Sequence, residues 1–168
     1  MAGAQRLPVL LFPLVGLLAA PAAAVTQNAA VTAKVTRPLT LTSQQDLDLG
    51  TIILKLGSWS GARVGISRGG VFTCDPNVVC SGAPQVARYK VTGSNKMVVV
   101  ITAPNVTLVN QNDSTKTIVL TLDNPGTVTL TSSGEPGNNF NLGGSITLDS
   151  TTVPGSYSGT LAVTADYQ

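Results

Sequence analysis

From Thr26 onward, hydrophobic residues recur with a period of two, and that alternation decides what the chain can fold into. Ala29, Val31, Ala33 and Val35 alternate with Ala30, Thr32, Lys34 and Thr36, and Ile118, Leu120 and Leu122 alternate with Thr117, Val119 and Thr121. Tyr157, Gly159, Leu161, Val163, Ala165 and Tyr167 stand against Ser158, Thr160, Ala162, Thr164 and Asp166. Successive side chains of a strand point to opposite faces, so such segments bury one face and wet the other. Phe140, Leu142, Ile146 and Leu148 share a face in the same way, and the continuously apolar Met97 to Ile101 suits a central strand. Turn clusters separate the runs, among them Arg68-Gly69-Gly70, Asp123-Asn124-Pro125-Gly126 and Gly134-Glu135-Pro136-Gly137. Short strands punctuated at this rate predict a single all-β domain, an immunoglobulin-like antiparallel β-sandwich.

The N-terminus reads differently. One positive charge within Met1 to Arg6, the apolar run Leu7 to Leu18 and the small residues Ala22-Ala23-Ala24 form the tripartite pattern of a secretory signal peptide, cleaved after Ala24. The apolar run, broken by Pro8 and Pro13, is too short to span roughly 30 Å of hydrocarbon, so no transmembrane anchor is expected in the mature chain. Residues 25–36 are then an N-terminal extension or a first strand, and residues 37–168 the sandwich. Export makes the two cysteines legible. Cys74 and Cys80 enclose Asp75-Pro76-Asn77-Val78-Val79, too wide a spacing for a CxxC site, and a structural disulfide is expected. Closing so small a loop should contribute about 2 kcal/mol and fix a local hairpin tip.

Composition excludes several function classes. There is no histidine, and Glu135 is the one glutamate, so the commonest general base and the commonest metal ligand are both missing. A net charge of +2 without clustering gives no field for nucleic acid. Gly65-Ile66-Ser67-Arg68-Gly69 matches the G-x-S-x-G elbow of hydrolases, yet no histidine exists to activate Ser67 and no helix pattern follows. Asp46 and Asp48 would share a strand face, but a calcium site wants six to eight oxygens. No catalytic residue, metal or cofactor is therefore expected. Trp59, the only tryptophan, either closes one end of the sandwich or offers a loop contact to a glycan or protein.

The stretch Arg37-Pro38-Leu39-Thr40-Leu41-Thr42, followed by Asp46-Leu47-Asp48-Leu49-Gly50-Thr51-Ile52, resembles the opening of a bacterial secreted family catalogued as domain of unknown function 4402. Tyr89-Lys90-Val91-Thr92-Gly93 resembles its middle strand, and Phe140 to Leu148 with Gly155 to Thr160 resembles its closing section. That family usually has an aromatic residue where Leu49 stands, and the Cys74–Cys80 loop is an addition to its pattern. The resemblance implies a bacterial, exported protein and lends no catalytic residues.

A looser resemblance is to subunits of chaperone–usher pili, including the spore-coat-U-like group, which tend to end in an alternating strand with a penultimate aromatic and a glycine fourteen places from the end. Tyr167 and Gly155 occupy those places. This resemblance implies a non-enzymatic subunit of a surface fibre, with like subunits as partners and a periplasmic chaperone and outer-membrane usher serving assembly. Its physical basis is strand addition, in which an extended segment from a neighbour fills a sandwich that lacks a strand. Ala29, Val31, Ala33 and Val35 would be the donor, and Gly155, Tyr157, Gly159, Leu161, Val163, Ala165 and Tyr167 would line the acceptor groove. The alternative is a self-complete secreted binding module, adhesin-like, that uses loops such as Gly57 to Gly61.

Overall fold

Strands need partners, and among the described residues the first ladder begins at Thr40. The computed structural model describes residues 25–168. The chain divides into two units, Met1–Lys34 and Val35–Gln168. In the first, the described residues 25–34 have no regular secondary structure, and Val31 is 92% exposed. Val35, at the start of the second, is exposed to the same degree. The alternation of Ala29 to Val35 is thus present without a strand. The leader expected over residues 1–24 lies outside the described residues.

The described part of the second unit is all β. Its strands are β1 (Thr40–Gln45), β2 (Thr51–Leu54), β3 (Ala62–Ile66), β4 (Phe72–Cys74), β5 (Val78–Ser81), β6 (Ala87–Thr92) and β7 (Val98–Thr102). They continue with β8 (Val106–Asn110), β9 (Thr117–Asp123), β10 (Thr127–Thr129), β11 (Asn138–Leu148), β12 (Tyr157–Ser158) and β13 (Thr164–Tyr167). All pairings are antiparallel. The large sheet runs β1-β6-β11-β9-β8-β12, with β3 joined to both β11 and β4. Two smaller sheets accompany it, β10-β7-β13 and β2-β5. The arrangement is sandwich-like, with one layer divided between two sheets.

The division follows from β11. Its first half, Asn138 to Leu142, pairs with β6, and its second, Gly144 to Leu148, pairs with β3. Gly143 sits at the joint, where a Cβ would collide with the backbone of Ile66, Ser67 and Arg68, so only glycine fits. Each half builds its own core. Around the first half, Tyr89, Val91, Phe140 and Leu142 pack with Val99, Ile101 and Leu130 from the β10-β7-β13 side. Around the second, Val64, Ile146 and Leu148 pack with Val106, Leu120 and Val78, the last from β5. Leu47, Leu122 and Leu161 touch both clusters. Met97 to Ile101 largely becomes β7, the middle strand of its sheet, as its continuous apolarity predicts.

The C-terminal segment departs from expectation. Tyr157 to Tyr167 is two short strands on different sheets, β12 against β8 and β13 against β7, with 159–163 crossing between them. Alternation survives the crossing because it records which side chains face inward, and both clusters lie inward.

Candidate functional site: a groove between two unpaired strand edges

The segment Leu47 to Leu54 begins where Asp48 bridges to Gln85 and turns at Gly50. Asp48 fixes that turn, its carboxylate accepting from Gly50 N at 2.8 Å. Beyond it, among the described residues, β2 pairs only with β5. On the facing side, the 152–161 segment passes through β12, which among the described residues pairs only with β8. Between the two segments lies a groove of about 1280 Å³. Its floor is Val106 and Leu108 from β8, Ile118 and Leu120 from β9, and Ile146 and Leu148 from β11. Ile52 and Leu54 line one wall and Leu161 the other, while no residue of β5 contributes. The free edge of β2 therefore faces the groove.

The floor is apolar, while polar residues stand in the walls, among them Thr51 of β2 on one side and Ser158 and Thr160 on the other. Among the described residues, Asp46 and Asp48 are the only acidic or basic side chains that line the groove. Near them, the Tyr89 hydroxyl is pushed above its usual range by burial, with the Asp46 charge adding to the rise and a hydrogen bond to Ser43 opposing it. Tyr89 stacks on Phe140 with ring centroids 5.6 Å apart, which anchors this end of the groove to the first core.

Asn110, a residue the sequence reading passed over, shapes the other end. It is the one buried polar side chain among the described residues. Its Oδ1 accepts from Asn112 N at 2.9 Å and Asp113 N at 3.3 Å, while its Nδ2 donates to Pro154 O at 3.3 Å. One amide thus folds the β8–β9 loop and docks the 153–156 turn onto it. Gly155 lies against that amide, and a Cβ there would come within 2.7 Å of Oδ1 and 2.8 Å of Cγ. An Asn ending an apolar run was the available signal, because Asn bonds the backbone two residues on.

The structure sorts the other expected site residues. Gly155, Tyr157, Gly159 and Leu161 line the groove. Val163, Ala165 and Tyr167 instead pack against the first core. The Tyr167 hydroxyl donates to Arg37 O and accepts from Ser94 N, both at 2.7 Å, and so ties the chain end to the start of β1. Ser67 sits in the β3–β4 hairpin turn, its Oγ accepting from Val71 N, so the G-x-S-x-G stretch is a hairpin and not an elbow before a helix. Trp59 packs against the second core and donates its indole N–H to Lys55 O at 3.0 Å. Cys74 and Cys80 are bonded as expected. Their reach differs, because β4 belongs to the large sheet and β5 to the small one, so the bond joins two sheets and not only a hairpin tip.

Comparison with known proteins fits this layout. Residues 39–167 match the family described as Domain of unknown function (DUF4402). The chain belongs to that family. The match runs from just before β1 to the penultimate residue, so the groove lies wholly within the family domain and the 29–35 alternation lies outside it. No curated protein and no solved structure matches the chain.

Proposed function

We propose that this protein is a non-enzymatic structural subunit of a bacterial surface fibre, in which residues 29–35 of one copy fill the groove of the next. The groove between two unpaired strand edges carries the reading. An open edge presents unmatched N–H and C=O groups, and an apolar floor beneath it costs free energy while it faces water. A single extended strand answers both needs, its backbone pairing with the edges and its alternate side chains covering the floor. Ala29 to Val35 spans six residue steps, roughly 20 Å when extended, and offers small apolar side chains at every second position. Lys34 is the only charged residue of 25–36, which complements the acidic margin at Asp46 and Asp48. Until a second copy arrives, the exposed edges invite misassembly, so a transient chaperone partner at the same groove fits the reading. The disulfide fits an exported protein, since such bonds persist in oxidising compartments.

Val31→Asp would carry an unpaired charge into the groove, where burial costs several kcal/mol. Wild-type mature protein, made without any partner, is expected to assemble, and the variant to stop at a folded single subunit. Light scattering and circular dichroism report both. A monodisperse wild type whose Val31→Asp variant unfolds would instead make the segment part of its own domain, as in a self-complete module.

A further inference from the structure

Strand capture makes a geometric demand on the groove. Neighbouring strands lie about 4.8 Å apart, so an inserted strand needs its two flanking edges held close to twice that spacing. One flank, β12, is an extension of the large sheet through β8. The other is β2, and among the described residues β2 and β5 have only each other as strand partners. The β2–β5 pair is therefore outside both larger sheets. A few hydrogen bonds steady its ends: Asp48 with Gln85 at the base, and the Trp59 indole to Lys55 O beyond β2. Lys55 itself reaches back only to the 75–77 turn, at Pro76 O and Asn77 O.

The covalent tie is placed at the middle of this wall. Cys74 lies opposite Val64 of β3, a fully buried residue of the second core. Cys80 lies opposite Ile52, which lines the groove. One bond thus connects the large sheet to β5, the partner of the strand that bears the free edge. We propose that the Cys74–Cys80 disulfide holds the β2 wall at the spacing an incoming strand needs, so that a chain lacking the bond no longer captures one. The cysteines are then positioning residues of the groove. This rests on the strand-capture reading, and the test separates the two.

The receptor is the full mature chain carrying Val31→Asp, whose groove stays free, and the probe is a labelled synthetic peptide of residues 25–36. Two further receptors add Cys74→Ser with Cys80→Ser, or Cys74→Ala with Cys80→Val, the latter keeping apolar bulk against the second core. Amide hydrogen exchange is measured on all three. Both cysteine-free receptors are expected to bind the peptide at least tenfold more weakly, and to lose protection in β2 and β5 while β6, β7 and β11 keep theirs. If the Ala/Val receptor binds like the disulfide-bonded one, packing and not the bond sets the wall, and the proposal fails. Protection lost across all sheets overturns it too, since the bond would then hold the whole fold. A peptide that does not bind even the bonded receptor overturns strand capture. In that case exchange still decides the wall, because unchanged protection in β2 and β5 without the bond would refute the tie itself.

Discussion

At the scale of single residues, each end of the groove depends on a polar side chain, Tyr89 at one and Asn110 behind the 153–156 turn at the other. Asn110 satisfies three backbone partners at once, and Gly155 leaves the room it needs. Gly155→Ala should push the 153–156 turn off the amide and cost about 1–3 kcal/mol, read as a lower melting temperature. Tyr89 makes a prediction in pH. Its hydroxyl is raised above 10.0, chiefly by burial, so its contribution to stability is full below that pH and is lost as pH climbs through the raised value. Denaturation curves should weaken above pH 10, and Tyr89→Phe should weaken less over the same interval. An equal loss in both proteins would assign the alkaline sensitivity elsewhere.

Elements show how far alternation can be read. The inward faces of β9 and β11 follow the sequence pattern because period two specifies facing, and facing is what a core fixes. Pairing is another matter. Tyr157 to Tyr167 keeps its alternation while changing sheets at 159–163, and nothing in the pattern of one strand names its partner. Ala29 to Val35 shows the converse, a strand-like pattern in a segment with no strand, since hydrogen bonding makes the strand. Periodicity did not show the groove for the same reason: it consists of pairings that are missing. The disulfide was legible as a bond, but its span between sheets was not, because β4 and β5 are neighbours in sequence and belong to different sheets. Tyr167 is the clearest gain from structure over pattern. Its penultimate place suggested a groove residue, and its hydroxyl instead closes β13 onto Arg37 and the Gly93–Ser94 turn. Tyr167→Phe should leave Arg37 O and Ser94 N without that partner and cost about 1–3 kcal/mol, with loss of exchange protection concentrated in β13 and the start of β1. Uniform loss across the sheets would argue against this local tie.

For the whole molecule, the proposed filling of the groove by a second copy would make stability a property of concentration. A domain that binds a second copy's segment only when folded gains RT ln(1 + [L]/Kd), with L the other copies' segments. Above Kd, each tenfold rise in protein concentration should add about 1.4 kcal/mol to every filled domain. In a domain of this size that corresponds to roughly 5 °C in melting temperature per decade. The Val31→Asp chain cannot donate, so its melting temperature should be flat over the same range. Mixing restores the distinction between donor and acceptor. Wild-type chains added to a trace of labelled Val31→Asp should stabilise the label, because its groove is intact and only its segment is altered. A label that gains nothing from wild type, beside a wild type that does depend on concentration, would mean that the copies associate through some surface other than this groove.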